Sequence, residues 1–507
     1  MASLYREGRL QDGRVLRGLR DSGQSVEGAA AACAACHRRS GLGSAEGRLV
    51  VPPITGSWLE RARSTNVPGA ADQPPQRVMR QPYDAAAFAR AVREGVDPSG
   101  RVLSSLMPRY DLSDLQLRQL NDYLKSLSGS VSPGVSEDTL HFATIVTPDA
   151  DPTARDAMLV VMRKFFEDKN AFIRGGARRM VSSRQIEYRV TRRWQLHEWR
   201  LTGPPSSWKA QLHQWLHDEP VFAVVSGIGG TTWAPIHDFC EEAGLPCLFP
   251  NTINPKINEQ DFYPLYFSRG LVLEADLIAG QLRAGSGKVV QLVRAGDGGE
   301  AGAARLRSDM AAGGRNPLQV TLVSGSPQEL EQALRKARAD DTLVLWLSAT
   351  ELAALPQRPP PAAAIYVSGL LGGLDQMPLP AAWRSVVQVA YTVDPPSQRG
   401  PRMNFPLQWF RISGIPVKAE RVQTDTYIAC GILAEALAEM LDSFYRDYLV
   451  ERIETMLSHR LVTGYYPRLS LSQGERFASK GGFLARYDAS GDALQPVSEW
   501  TIPDLAR

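Results

Sequence analysis

The chain has 507 residues, 43% of them hydrophobic and 22% charged, so it can bury more than one core and is expected to form two or three domains. Its net charge is only +3, but residues 1–127 carry 18 Arg and Lys against 13 Asp and Glu, leaving the remainder slightly acidic. A basic face of this kind steers acidic protein partners. No nucleic-acid fold signature accompanies the charge, so no nucleic acid is expected as a partner. No run of about 18 apolar residues exists to span a membrane. The opening "MASLYREGRLQDGR" lacks the apolar core of a signal peptide.

The first motif is "AACAACHRRSG", residues 31–41. Cys33 and Cys36 followed by His37 have the spacing of a haem c anchor, in which two thiols hold the porphyrin and the histidine binds iron. A redox Cys-x-x-Cys would normally open a helix after a strand, and no strand signal precedes Cys33. A zinc site needs further ligands, yet His37 is the only histidine before His141. Haem c is therefore the expected cofactor, one group covalently bound. Its sixth ligand would be a methionine, and Met79 and Met107 are the two between the motif and residue 127.

"DAAAFARAVREGVDPSGR" is expected to be a helix, with Phe88, Val92 and Val96 four apart and a stop at Gly95 before an Asp97-Pro98 turn. "VLSSLMPRYDLSDLQLRQLNDYLKSLS" places Met107-Pro108 in a loop and Ser113 as cap of a final helix. Leu115, Leu117, Leu120, Tyr123, Leu124 and Leu127 are its apolar positions. This order of motif, Met-Pro loop and last helix resembles the class I cytochromes c. The resemblance implies an all-α domain over residues 1–127 with Cys33, Cys36, His37 and Met107 holding the haem, and the iron bound by His37 and Met107. Haem attachment of this type implies export to the periplasm, electron transfer and a redox partner protein.

"SGSVSPGVSED", residues 128–138, is rich in Ser, Gly and Pro and reads as a linker. Strand and helix signals then alternate over residues 139–507. "LHFATIV" precedes the helical "PTARDAMLVVMRKFFEDKN"; "PVFAVVSG", "TTWAPIHDFCEEAG" and "LPCLFPNT" follow as strand, helix and strand. "KVVQLV", "EAGAARLRSDMAAG", "LQVTLVSG", "SPQELEQALRKARA", "TLVLWLS", "AAIYVSG" and "VVQVAYTV" continue the pattern. Repeated βα units imply largely parallel sheets covered by helices.

This order resembles the type I periplasmic binding proteins, particularly the branched-chain amino-acid type of ABC transporter substrate-binding subunit. The likeness spans roughly residues 139–490, through "FAVVSGIGGTTWAPIHDFCEEAGLPCLFPNT", "GLVLEADLIAGQL", "TDTYIACGILAEALAEM" and "LSLSQGERFASKGGFLARYD". It implies two α/β lobes with a small-molecule ligand captured between them, and an ABC permease as a further partner. The expected fold is thus multidomain: an all-α cytochrome c domain, then a two-lobed α/β periplasmic-binding-protein domain.

For the ligand, Gly230 leaves room for a close backbone approach, and Thr231 and Thr232 sit before a helix whose amides favour an anion such as a carboxylate. Either threonine could equally be a plain cap. Asn251 and Thr252 end the next strand, where open α/β sheets place ligands, or form a polar turn. Asp297, Ser368 and Tyr391 follow lobe-two strands. Two departures from the family stand out: "VRAGDGGEAG" offers Asp297 amid glycines instead of a Tyr-containing loop, and "PDADPTARD" lacks a glycine-rich loop after the first strand. Amino-acid specificity does not follow from the resemblance.

Residues 174–193 hold seven arginines and one glutamate, read as a solvated face or a docking patch for an acidic partner. The tryptophans at 194, 199, 208, 215 and 233 are expected in the core. Cys240 and Cys247 could pair in an oxidising compartment, and Cys430 reads as a buried thiol. His213 and His217 are one helical turn apart without a third ligand. No nucleophile–base grouping points to an enzyme. The function expected is a periplasmic haem c electron-transfer protein fused to a solute-binding module. The alternatives are an ABC substrate-binding subunit with an accessory cytochrome, and the electron acceptor of a quinoprotein-type dehydrogenase with a non-binding scaffold.

Overall fold

The computed structural model describes residues 1–46, 49–67, 76–177, 192–282, 288–459, 462 and 464–503. The chain divides into unit 1, Met1–Ser132 with Ser443–Glu451, and unit 2, Pro133–Asp442 with Arg452–Arg507.

In unit 1 the two expected helices form. Asp84 caps Ala85–Glu94 by accepting from the Ala87 amide at 2.7 Å, and Gly95 ends it at φ 71°, a conformation that favours glycine. Ser113 and Gln116 make a reciprocal capping box at the start of Asp114–Ser126. Leu117, Leu120 and Leu124 of this helix bury against Phe88, Val92, Leu4 and Tyr5, whereas Leu115 is exposed. The expectation of an all-α domain is corrected. Three two-stranded antiparallel ladders occur: β1 (Arg17–Leu19) with β2 (Ser25–Glu27), β3 (Ser44–Glu46) with β4 (Leu49–Val51), and β5 (Arg63–Val67) with β6 (Gln76–Arg80). The helices before Ala85 have only four to six residues. Segments with Thr65, Val67 and Val78 among polar neighbours lack a helical period and satisfy their backbones by pairing.

Unit 2 contains two sheets. Lobe one has β7 (Thr139–Val146), β8 (Arg193–Arg200), β9 (Ala223–Val225), β10 (Cys247–Leu248) and β11 (Pro264–Leu265), all parallel in the order β8-β7-β9-β10-β11. Helices Pro152–Ala177, Pro205–Asp218 and Ala234–Glu242 connect strands, and Trp199, Trp208, Trp233 and Phe239 fill the core beneath them. Lobe two has β12 (Val289–Arg294), β13 (Leu318–Leu322), β14 (Thr342–Trp346), β15 (Ala364–Ser368) and β16 (Val387–Tyr391), parallel in the order β13-β12-β14-β15-β16. The antiparallel pair β17 (Phe483–Tyr487) and β18 (Leu494–Pro496) extends it.

Both lobes therefore repeat one doubly wound order, second-first-third-fourth-fifth, whose switch point lies between the first and third strands. The chain crosses to lobe two after β11, returns after β16 to the buried helix Glu420–Met440, and crosses again before β17. Cys240 and Cys247 form a disulfide, Cα atoms 6.1 Å apart, tying helix Ala234–Glu242 to β10. His213 packs edge-on against Phe239, ring centres 5.0 Å apart. Of the arginine-rich stretch, residues 178–191 lie outside the described residues.

Candidate solute site

The loops after β7 and β9 meet at the lobe-one switch point, where open α/β sheets present backbone donors to ligands. There the expected donors are already engaged. Asp149 Oδ2 accepts from the Thr231 amide and hydroxyl, each at 2.8 Å. Its Oδ1 accepts from Thr147 Oγ1 at 2.5 Å and from the Gly230 amide at 3.3 Å. A Cβ at position 230 would lie 2.6 Å from the Asp149 carboxyl carbon, so glycine there is what admits the carboxylate. Burial pushes the Asp149 carboxyl up, but the bonds from Thr147, Thr231 and Gly230 outweigh it and hold it below the usual range. Thr232 Oγ1 accepts from Ala234 N at 3.4 Å, a turn role at the helix entry.

On lobe two, Asp297 lies in the loop after β12 and its carboxyl is raised by burial and by the nearby Glu351 charge. Ser368 gives its hydroxyl to Glu274 at 2.5 Å and accepts from the Leu371 amide. Tyr391 donates to Asp375, which also pairs with Arg399. Ser368 and Tyr391 thus serve buried networks of lobe two itself. The lobes meet at the switch points: Asn254 Nδ2 donates to the Thr231 carbonyl at 3.1 Å and to the Gly298 carbonyl at 2.9 Å.

Between the lobes remains a cavity of about 20 Å³, room for one water-sized molecule, lined by Asn251, Thr252, Thr392, Arg421, Asp425 and Tyr466 among others. Of the sequence candidates only Asn251 and Thr252 reach it. Three polar atoms of its lining residues have no partner among the described residues although the residues are at most 5% exposed: Asn251 Oδ1, Thr392 Oγ1 and Asp425 Oδ1. Burial raises the Asp425 carboxyl to about 7, opposed by Arg421, whose guanidinium is 3.5 Å from Oδ2. Tyr466 donates to the same oxygen at 3.5 Å.

Asp149, Thr392, Arg421, Asp425 and Tyr466 were not among the sequence candidates. A signal for one of them, Asp425, exists: Gln423-Thr424-Asp425-Thr426 puts four polar residues, each at most 1% exposed, into an otherwise apolar buried helix. Buried polar side chains need partners, so such a run marks either a network or a site.

Unit 1 has its own cavity, about 420 Å³ and mostly apolar, to which Cys33, Cys36, His37 and Met107 all contribute. His37 Nδ1 bonds the Pro52 carbonyl at 2.9 Å, and both cysteines are free thiols. Met79 is exposed on β6.

No protein-family model matches the sequence, and a search of the curated proteins finds no match. Solved structures do match. A fatty acid ABC transporter substrate-binding protein from Thermomonospora curvata is similar at 13% identity, covering 74% of this chain and 95% of its own, with a TM-score of 0.52. A branched-chain amino acid ABC transporter protein from Thermus thermophilus with bound valine is similar at 11% identity, covering 73% and 98%, with a TM-score of 0.52. An ABC transporter substrate-binding protein from Aeropyrum pernix gives 12%, 73%, 97% and 0.53. The two-lobed α/β architecture of unit 2 is accordingly the type I periplasmic-binding-protein fold.

The cofactor expectation is corrected. The similar structures are substrate-binding proteins, and among the described residues no group of three or more His, Cys, Asp or Glu side chains that could hold a metal ion occurs. The unit 1 cavity brings together a single imidazole, two thiols and a thioether among apolar side chains, and no cofactor is assigned to it. The electron-transfer reading and its redox partner rested on haem c and are withdrawn with it. Among the described residues no helix is long and apolar enough to cross a membrane.

Proposed function

We propose that unit 2 captures a small polar solute between its lobes, as the substrate-binding subunit of an ABC transporter, in the periplasm and with a membrane permease as partner. The observation that carries this reading is the set of buried, unpartnered acceptors at one interlobe cavity, Asn251 Oδ1, Thr392 Oγ1 and Asp425 Oδ1. Leaving such atoms without partners costs free energy that a hydrogen-bonding solute would recover. The 20 Å³ left in this closed arrangement requires the lobes to part before anything larger than a water-sized molecule enters. The Cys240–Cys247 disulfide supports an oxidising compartment. The module is taken to run over residues 139–507, with a separate domain at 1–127 and a linker at 128–138.

The test is a thermal-shift screen of the full chain against amino acids, short organic acids, alcohols, amines and amides. Binding at a hundred times Kd adds about 2.7 kcal/mol, enough to move the transition by a few degrees. A saturable shift that Asp425→Asn and Asn251→Leu both weaken supports the reading. Silence across the screen overturns it.

A further inference from the structure

We infer that Asp149 is a built-in surrogate for a ligand carboxylate: it occupies the anion-binding donors of lobe one and so restricts the cleft to solutes without an anionic group. This deepens the solute-binding reading and rests on it for the identity of the cleft.

The donors converge from three residues. The Gly230 amide, the Thr231 amide and hydroxyl, and the buried Thr147 hydroxyl all point at one carboxylate, at the loop pair where the doubly wound sheet reverses its strand order. Amides and hydroxyls arranged this way select for negative charge, and their selectivity is spent on the chain's own side chain. Asp149 is exposed as a residue, while its carboxyl is partly desolvated and takes hydrogen bonds from all four of these donors. An incoming carboxylate would have to displace it and then sit beside it, two like charges at one set of donors. The neighbouring strand end offers the opposite chemistry. Asn251 lies one strand over, its carbonyl oxygen accepting the Gly229 amide at 3.2 Å; it and Asp425 line the cavity, and Asn251 Oδ1 and Asp425 Oδ1 have no partner among the described residues. Arg421, which lines the same cavity, is paired to the other oxygen of Asp425, so these two open oxygens call for a solute that donates hydrogen bonds, of the amine or amide kind.

The experiment compares the wild-type chain with Asp149→Ala and Asp149→Asn by thermal unfolding in sodium acetate against sodium chloride at equal ionic strength, and by titration calorimetry with valine and valinamide. Acetate is expected to raise the Tm of Asp149→Ala by a few degrees relative to chloride, while leaving wild type and Asp149→Asn unmoved, because only the alanine variant exposes the donors. Valine is expected to bind Asp149→Ala at least ten-fold more tightly than wild type.

Two outcomes overturn the inference: acetate leaves the alanine variant unmoved, or wild-type protein binds valine as tightly as the variant. If acetate rescues Asp149→Ala while no solute of any class binds wild type, the surrogate role stands and the solute-binding reading fails. If valinamide or another solute binds wild type but acetate does not rescue the variant, the reverse holds.

Discussion

Ser368 donates its hydroxyl to the Glu274 carboxyl at 2.5 Å with both side chains fully buried, and the Leu370 amide donates to the other carboxyl oxygen at 2.8 Å. Burial raises Glu274 from the usual 4.5 to about 8, only partly offset by those bonds. Folded Glu274 binds its proton more tightly than unfolded Glu274. Its contribution is therefore full below pH 4.5 and is lost as pH rises through about 8. Asp425, raised to about 7, and Glu451 of unit 1, raised to about 8, act with the same sign. The Tm of the wild-type chain should fall between pH 5 and pH 8.5. Glu274→Gln, which keeps an acceptor but does not titrate, should fall less over the same range. Parallel curves for the two proteins would show that Glu274 does not carry this dependence.

The Cys240–Cys247 disulfide closes a short loop, the cysteines being seven residues apart. Chain-entropy arguments give about 2–3 kcal/mol for a loop of that size. The double variant Cys240→Ser, Cys247→Ser should lose that amount in denaturant unfolding. Reductant should lower the midpoint of the wild-type chain and leave the double variant unchanged, because Cys33, Cys36 and Cys430 are free.

Gly302 lies in helix Glu300–Ala312, where replacing glycine by alanine ordinarily gains about 1 kcal/mol. Here the sign should reverse. A Cβ at 302 would stand 2.6 Å from the ring of Trp346, which is fully buried and donates its Nε1 to Gln291 at 2.8 Å. Overpacking of a filled core costs about 1–3 kcal/mol, which less the helix gain leaves Gly302→Ala destabilised by up to about 2 kcal/mol with an unchanged denaturant slope.

Eight of the ten parallel strands were legible because each is an apolar run bounded by turn residues: "TLVLW" and "AIYVS" leave little choice. β8 and the two-residue β11 were not: "RWQLHEWR" borders an arginine-rich stretch and buries Trp194 and Trp199 five apart with polar or charged residues around them, so it carries neither an apolar run nor a period of two. The short ladders of unit 1 were also missed, since three-residue strands such as Arg17–Leu19 carry no period to read. Thr231 was recognised as a donor to a carboxylate, yet the carboxylate proved to be Asp149, 82 residues earlier. Local pattern identifies what a loop can bind; only the fold says what reaches it first. Arg421 and Tyr466 join the cavity from segments 45 residues apart, for the same reason.

Asn254 spans the mouth of the cleft, one side-chain amide bonded to Thr231 O on lobe one and Gly298 O on lobe two. Asn254 itself belongs to lobe one, so only its bond to Gly298 is lost when the lobes part; at about 0.5–1.5 kcal/mol net per bond, Asn254→Ala should cost the closed form about that much relative to the open one. Since 1.4 kcal/mol is a ten-fold change in an equilibrium constant, the open population should rise about two- to ten-fold. The substitution removes no core packing, so the global unfolding midpoint should move much less than the lobe equilibrium. Fluorophores on the two lobes report that equilibrium directly: energy transfer in Asn254→Ala should drop, and a solute that binds the cleft should restore it. Equal transfer in wild type and variant would mean that packing elsewhere, not this amide, holds the lobes together.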